Sequence, residues 1–303
     1  MKDRLRKVAG LMSLGDELDS VRAQMGRLQA AQLAGLEPGD VRAAEFTVFS
    51  QWGEDGIIQH LLRHVPIDDE VFVEFGVADY AESNTRFLLV NDNWRGLILD
   101  GGTDHQAFLH RTGLDWRHHI DAVSAFIDRD NIDGLIRAAG IEGDIGLLSI
   151  DLDGNDLWVL ERISAVSPRI LTVEYNATFG PEAAVTVPYD PAFQRTAAHS
   201  SNLYWGASVA ALDMVARRRG YTLVAGNQAG NNLFFVRDDV AGDLVRLSPA
   251  EAWSPSRFRE SRGPGGELTY VADREERLRI IRDMPLWDLE ADAQTTVAER
   301  FGV

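Results

Sequence analysis

Five short apolar runs recur along the chain: VFVEFG (71–76), GLILDG (96–101), HHIDAVSA (118–125), IGLLSID (145–151) and RILTVEYN (169–176). Each closes on a polar or glycine-containing turn, the pattern of a buried strand. Helical patterns fill the intervals at about 53–64, 84–92, 128–139 and 155–163. Strands that alternate with helices require crossovers, so the pattern predicts a parallel sheet with helices on both faces. Two further runs, GYTLVAG (220–226) and NNLFFVR (231–237), follow a helix near 207–219 and are separated by four residues. A connection that short permits only a hairpin, and the last strand is expected to run antiparallel to its neighbour. The expected fold class is α/β, a seven-stranded, mostly parallel sheet with an antiparallel last strand.

With 303 residues the chain has room for such a sheet and for extensions at both ends. Leu11, Leu14, Leu18, Val21, Met25 and Leu28 follow a 3-4-3-4-3 spacing that lines one seam of a helix, ended by Glu37-Pro38-Gly39-Asp40. The seam fits a helix packed on its own domain or a dimerising helix pair, and a homo-oligomer is expected. Residues 1–40 read as an N-terminal helical extension and 41–240 as the main domain. Residues 241–303 read as a C-terminal extension, with weak helical signal before ADREERLRIIRDM (272–284).

Composition removes several function classes. The formal net charge of −17 argues against nucleic acid, whose binders need clustered positive charge to displace counterions. Cysteine is absent, which excludes disulfides, thiolate zinc sites and a cysteine nucleophile. Lys2 and Lys7 are the only lysines, so Schiff-base, Walker-type and lysine-assisted phosphatase chemistry are all disfavoured. No apolar run approaches the length of a membrane span and the start, MKDRLRKVAG, lacks a signal-peptide core; a cytoplasmic location is expected.

Candidate site residues sit at strand ends, because ligands of doubly wound sheets bind beyond the carboxyl ends of the strands. Glu74, Gly76 and the turn VADYAESNT follow the first strand. Gly76 lets backbone approach a ligand, and Ser83, Asn84 and Thr85 cap the next helix and aim amides at a carboxylate. Asp100 ends the second strand, where an acidic residue takes the two hydroxyls of a ribose. Gln51 and Trp52, with Glu54 and Asp55, precede the first helix of the domain and are placed to fold over that ligand. Asp121, in the third strand, completes the candidate cofactor set.

SIDLDGND (149–156) poses the sharper question. Carboxylates packed this closely repel one another, so each must be exposed, protonated or neutralised by a cation. Asp151 and Asp153 follow the fourth strand, and Glu174 and Asn176 the fifth. Residues two apart share a strand face, so either pair can converge on a hard cation. Asp153-Gly154-Asn155-Asp156 equally fits a turn with a helix cap. His199, in the long loop TVPYDPAFQRTAAHSSNLYW, is a candidate general base, as is Asp153.

SQWGEDGIIQHLL, VEFGVADYAESNTRFLL, SIDLDGNDLWVLE, TVEYN, YWGAS and NNLFFVR, in this order, resemble S-adenosylmethionine-dependent methyltransferases of the FkbM-like kind, over about residues 48–240. The chain is also similar to magnesium-dependent sugar and natural-product O-methyltransferases. That resemblance implies a Rossmann-like methyltransferase fold and S-adenosyl-L-methionine as cofactor. It also implies Mg2+ or Mn2+ held by Asp151, Glu174 and Asn176, and an acceptor hydroxyl on a sugar, saccharide or glycosylated natural product. Catalytic roles then fall to Asp151, Asp153 and His199. The chain departs from the family in the turn after the first strand. Two or three glycines are usual there, whereas only Gly76 remains, with Ala78 and Tyr80 at later positions. DLDGN also resembles the nucleophile motif of haloacid-dehalogenase-type phosphatases, but that motif normally lies on the first strand and needs a later cation, usually lysine. A non-catalytic nucleotide-binding module is the other alternative, and the paired strand-end acids stand against it.

Overall fold

The computed structural model describes residues 2–303, the side chains of residues 2–14 and 16 excepted. Strands β1 (Val71–Phe75), β2 (Arg95–Asp100), β3 (Ile120–Ser124), β4 (Gly143–Ile150) and β5 (Val166–Glu174) fall on the five predicted runs. They are followed by β6 (Val185–Thr186), β7 (Tyr221–Gly226), β8 (Asn232–Arg237), β9 (Pro285–Asp288) and β10 (Ala293–Thr296). The helices are α1 (Lys2–Gln32), α2 (Glu54–His64), α3 (Arg86–Asn91), α4 (Asp104–Thr112), α5 (Leu114–Arg117) and α6 (Ile132–Ala138). Then come α7 (Asp156–Arg162), α8 (Arg195–Ala198), α9 (Val209–Arg218), α10 (Pro249–Ala252), α11 (Arg274–Ile280) and α12 (Val297–Phe301).

The main sheet has seven strands in the order β3-β2-β1-β4-β5-β8-β7. β1 to β5 are parallel, and β8 runs antiparallel to both β5 and β7, as the short connection requires. Alternation along β1 divides its side chains between two cores. Val71, Val73 and Phe75 pack with Leu157 and Leu160 of α7 and Leu212 of α9. Phe72 packs with Ile57 and Leu61 of α2 and Leu88 of α3. Burial on both faces is why these strands read as nearly continuous apolar runs. The order reverses between β1 and β4, which opens a crevice at their carboxyl ends.

α1 lies on the domain through small residues. Ala23 and Ala30, with Leu33, pack against Phe46, Val48, Phe49 and Phe87. A Cβ at Gly26 would come within 2.5 Å of Val48, so that face tolerates only the smallest side chains. The apolar seam faces elsewhere: Leu18, Val21, Met25 and Leu28 are 51% to 68% exposed. The side chains of Leu11 and Leu14 lie outside the described ones.

Beyond β8 the sequence shows little periodicity, yet β9 pairs with β10 and β6 in a second sheet of three strands. β9 and β10 have four residues each, too few for alternation to register in the sequence. Leu278, Ile281, Leu286 and Val297 pack against Phe179, Val185 and Leu203 from the segment after β5. The C-terminal residues are thereby fixed beside the carboxyl end of the main sheet. No described helix is long and apolar enough to cross a membrane.

Candidate active site

Glu74 is buried near the end of β1. Its carboxylate accepts hydrogen bonds from the backbone N–H groups of Asn84 (2.8 Å) and Thr85 (3.1 Å) and from the hydroxyls of Ser83 and Thr85. Burial pushes its pKa up while these donors oppose the rise. The triplet Ser83-Asn84-Thr85 therefore does present amides to a carboxylate, but the carboxylate is Glu74's own. Thr85 is wholly buried and anchors the turn, which corrects its expected contact with a ligand. Ser83, Asn84 and Glu74 still line a cleft with Gln51.

Gly76 has φ +73°, and a Cβ there would lie 1.6 Å from the carbonyl oxygen of Asp151. Glycine is thus demanded by the backbone after β4 rather than by the approach of a ligand alone. Ala78 and Tyr80 also take left-handed φ, 47° and 65°. That conformation costs an L-residue roughly 1–2 kcal/mol. The backbone of a glycine-rich turn is kept without its glycines, held where Ala78 N–H donates to Asp100 Oδ2 (2.9 Å) and the Tyr80 and Thr85 hydroxyls meet at 3.2 Å.

Asp100 stands at the end of β2 as expected, lining a cleft with Gly76, Ala78, Ala125 and Phe126. Its second oxygen accepts the Gly102 N–H at 2.7 Å. Asp121 does not reach this cleft. It pairs with Leu97 inside the ladder and is exposed, three residues before β3 ends at Ser124. At about 3.3 Å per residue it lies roughly 10 Å below the carboxyl edge, too far for the expected cofactor contact. Gln51 and Trp52 do line the crevice. Asp55 is buried and accepts the N–H groups of Val48, Phe49 and Ser50 at 2.7, 2.8 and 2.7 Å. Glu54 accepts from Trp52, Asn227 and Asn232. Asp55 supports the segment that carries Gln51 and Trp52 without facing the clefts, while Glu54 supports it and also lines the cleft of Glu74.

The strand-end acids do converge. Asp151, Asp156 and Glu174 each place a carboxylate oxygen within 4.8 Å of the others. Burial, then Asp153 and Asp156, raise the pKa of Asp151; burial, then Asp151, raise that of Glu174. Burial pushes Asp156 up to about 7, although the N–H groups of Leu152 and Gly154 donate to its two oxygens at 2.7 and 3.0 Å. Three carboxylates so placed need protons or a cation between them. Glu174 Oε2 is buried and has no hydrogen-bond partner among the described residues. An all-oxygen set with an unspent buried lone pair suits a hard divalent ion.

Membership of the set differs from the expectation. β4 ends at Ile150 and β5 at Glu174, so the two-residue alternation of a strand does not extend to Asp153 or Asn176. Asn176 caps a 3₁₀ turn: Oδ1 accepts from Thr178 N–H and Nδ2 donates to the carbonyls of Leu203 and Trp205, each at 3.0 Å. It fixes the wall of the cleft. Asp153, at φ 55°, turns outward and its Oδ1 accepts from Arg195 Nη1 at 3.0 Å. Asp156 takes the place in the cluster that was assigned to Asn176. Its only sequence signal was membership of DLDGND, where a helix-cap role explains it equally well.

Three clefts meet at Gly76 and Asp151. One holds Asp100, one holds Glu74 and Asn84, and the third, of about 220 Å³, holds Glu174, Arg195, Trp205, Phe258 and Arg277. Asp153 lines the third. His199 lines none of them; its ring is bonded to the Ser201 hydroxyl at 2.8 Å and burial lowers its pKa. It organises its own loop, which corrects its placement over the ligand face. Arg195 and Arg277 had no signal in the sequence because neither belongs to a strand end.

No protein-family model matches the chain, and no curated protein matches it. Among solved structures, it is similar to an O-methyltransferase family protein from Burkholderia thailandensis at 12% identity, over 72% of this chain and 57% of the other, with a TM-score of 0.37. It is similar to the mitomycin 7-O-methyltransferase MmcR at 17% identity, over 55% of this chain and 48% of the other, with a TM-score of 0.34. A putative O-methyltransferase from Klebsiella pneumoniae matches at 12% identity, over 71% of this chain and 90% of the other, with a TM-score of 0.36. The chain spans about half the length of the first two.

Proposed function

We propose that the protein is an S-adenosylmethionine-dependent O-methyltransferase assisted by a divalent ion, Mg2+ or Mn2+, and acting on a hydroxyl of a sugar, saccharide or glycosylated natural product. The strand order and the ordered motifs around it support the methyl-transfer class. The observation that carries the reading is the meeting of the Asp100 cleft, the Glu74 cleft and the acidic trio at Gly76 and Asp151.

In this reading Asp100 accepts the ribose hydroxyls, while Gln51, Ser83 and Asn84 line the side where the methionine end lies. When bound, the cofactor supplies a sulfonium methyl that needs mainly alignment, and the ion supplies acidification of the acceptor hydroxyl. Asp151, Glu174 and Asp156 would hold the ion. Asp153, at the mouth of the same cleft, is placed to receive the acceptor's proton, with Arg195 fixing its carboxylate. Trp205 and Phe258 shape the acceptor wall. The methyltransferase domain is read as residues 41–240, with the C-terminal extension contributing Ser256, Phe258, Glu260 and Arg277 to that wall.

Asp100→Ala is expected to weaken S-adenosylhomocysteine binding. Losing charge-assisted hydrogen bonds costs on the order of 1.5–3 kcal/mol, about ten- to a hundredfold in Kd. Titration calorimetry showing unchanged affinity overturns the cofactor assignment.

The proposal includes self-association through the exposed seam of α1. Because the opposite, small-residue face carries the intramolecular packing, Leu18→Glu with Met25→Glu is expected to lower the particle mass in light scattering without lowering Tm. An unchanged mass rejects the seam as an interface.

A further inference from the structure

Arg277, on α11, is 7% exposed and lines the third cleft. Its Nε donates to the Val271 carbonyl at 2.8 Å and its Nη2 to the Phe258 carbonyl at 2.9 Å. Among the described residues no carboxylate pairs with it, and its Nη1 has no partner. This is unusual company for a buried guanidinium, since buried charges are normally paired. The chain has no shortage of acids, with 47 against 30 basic residues, and still leaves this cation without one.

The neighbouring charges deepen the anomaly. Burial, then the positive charges of Arg195 and Arg259, lower the pKa of Arg277. Arg195 is itself committed: Nη1 to Asp153 at 3.0 Å, Nη2 to Glu260 at 3.8 Å, with its guanidinium over the rings of Trp205 (4.8 Å) and Phe258 (5.5 Å). Glu260 is further engaged by Arg262 and Asn202. The cleft therefore has two poles, the acidic trio at the strand ends and an unneutralised guanidinium on the C-terminal wall.

We infer that the acceptor carries an oxyanion group, a carboxylate or a phosphate, that pairs with Arg277 while the reacting hydroxyl points to the acidic trio. A planar guanidinium with donors in reserve matches either anion. The cleft volume of about 220 Å³ is below the ~300–1,000 Å³ of clefts that enclose drug-sized ligands, so the part enclosed is one ring. Trp205 and Phe258 line the cleft beside Arg195. The substrate class is an acidic saccharide unit, either a uronate or a sugar phosphate. This rests on reading the third cleft as the acceptor site.

Calorimetry on the full chain with Mg2+ and S-adenosylhomocysteine compares three probes: glucose, glucuronate and glucose 6-phosphate. At least one anion is expected to bind about tenfold or more tighter than glucose, equivalent to about 1.4 kcal/mol. Which of the two gains identifies the group. Arg277→Gln should erase the preference and Arg277→Lys should retain part of it. In the unaltered protein the preference should shrink as salt is raised while glucose affinity holds, a readout that needs no variant to fold. No anion preference, or a preference that survives Arg277→Gln, overturns the inference. S-adenosylhomocysteine affinity measured on the same samples separates the two readings. Anion preference without cofactor binding removes the methyl-transfer assignment and leaves the anion site. Cofactor binding without anion preference does the reverse.

Discussion

Glu174→Gln is expected to lower turnover sharply while leaving S-adenosylhomocysteine affinity and Tm near those of the unaltered protein. The substitution keeps shape but removes a charge from an oxygen set in which Glu174 Oε2 is buried and unpartnered. An ion that acidifies an acceptor hydroxyl contributes several kcal/mol to the transition state and little to cofactor binding, so a fall in kcat of roughly 10²–10³-fold is the scale to expect. Asp151→Asn should behave alike, and calorimetric titration of Mn2+ should lose its binding isotherm in both. EDTA should reproduce the effect and excess Mg2+ should reverse it. Asp153→Asn is the contrast, losing rate while keeping Mn2+ affinity, because its carboxylate is turned to Arg195 and lies outside the trio. Full activity in excess chelator, or undiminished Mn2+ binding by Glu174→Gln, would show that the acids are structural.

Glu74→Ala is expected to destabilise the fold. It deprives the part-buried N–H of Asn84 of its acceptor and removes one acceptor from the Thr85 N–H and from the hydroxyls of Ser83 and Thr85. The two hydroxyls sit 3.5 Å apart and the Thr85 N–H also reaches Ser83 Oγ at 3.2 Å, so these groups can partly satisfy one another, whereas the Asn84 N–H has no second acceptor among the described residues. At about 1–3 kcal/mol per unsatisfied buried donor, the Asn84 N–H sets a loss of roughly 1–3 kcal/mol. Domains are stable by only about 5–15 kcal/mol, so thermal denaturation should register a large fall in Tm. The result separates two roles for this residue. If Glu74 contacts the cofactor rather than holding the turn, Glu74→Gln would keep Tm and lose S-adenosylhomocysteine affinity.

The two predictions mark a division that runs through the whole chain. Residues of one type within a short span were readable: the apolar runs that became β1 to β5, the hairpin forced by four residues between the runs that became β7 and β8, and acids directly after β4 and at the end of β5. These depend on local periodicity and chain reach, which a sequence states directly; the β7–β8 connection is five residues, 227–231, one more than the gap between the two apolar runs. Asp100 at the end of β2 was legible for the same reason.

What the sequence could not state is where a side chain points once its strand has ended. Asp153 and Asn176 were paired with Asp151 and Glu174 by strand alternation. Alternation stops at Ile150 and Glu174, so the turns send Asp153 to Arg195 and spend Asn176 on the 203–205 carbonyls. Asp156 entered the cluster through a turn geometry that looks identical to a helix cap in one dimension. His199 was placed by its loop alone, and the fold turned its ring to Ser201. Arg277 joined the cleft only because a second small sheet fixes the C-terminal segment beside β5. The sequence alone determined the sheet and which strand ends carry acid, because burial and strand length are local demands. Tertiary structure decided which of those acids face one another and which cation faces them, because turn dihedrals and contacts between distant segments set those directions.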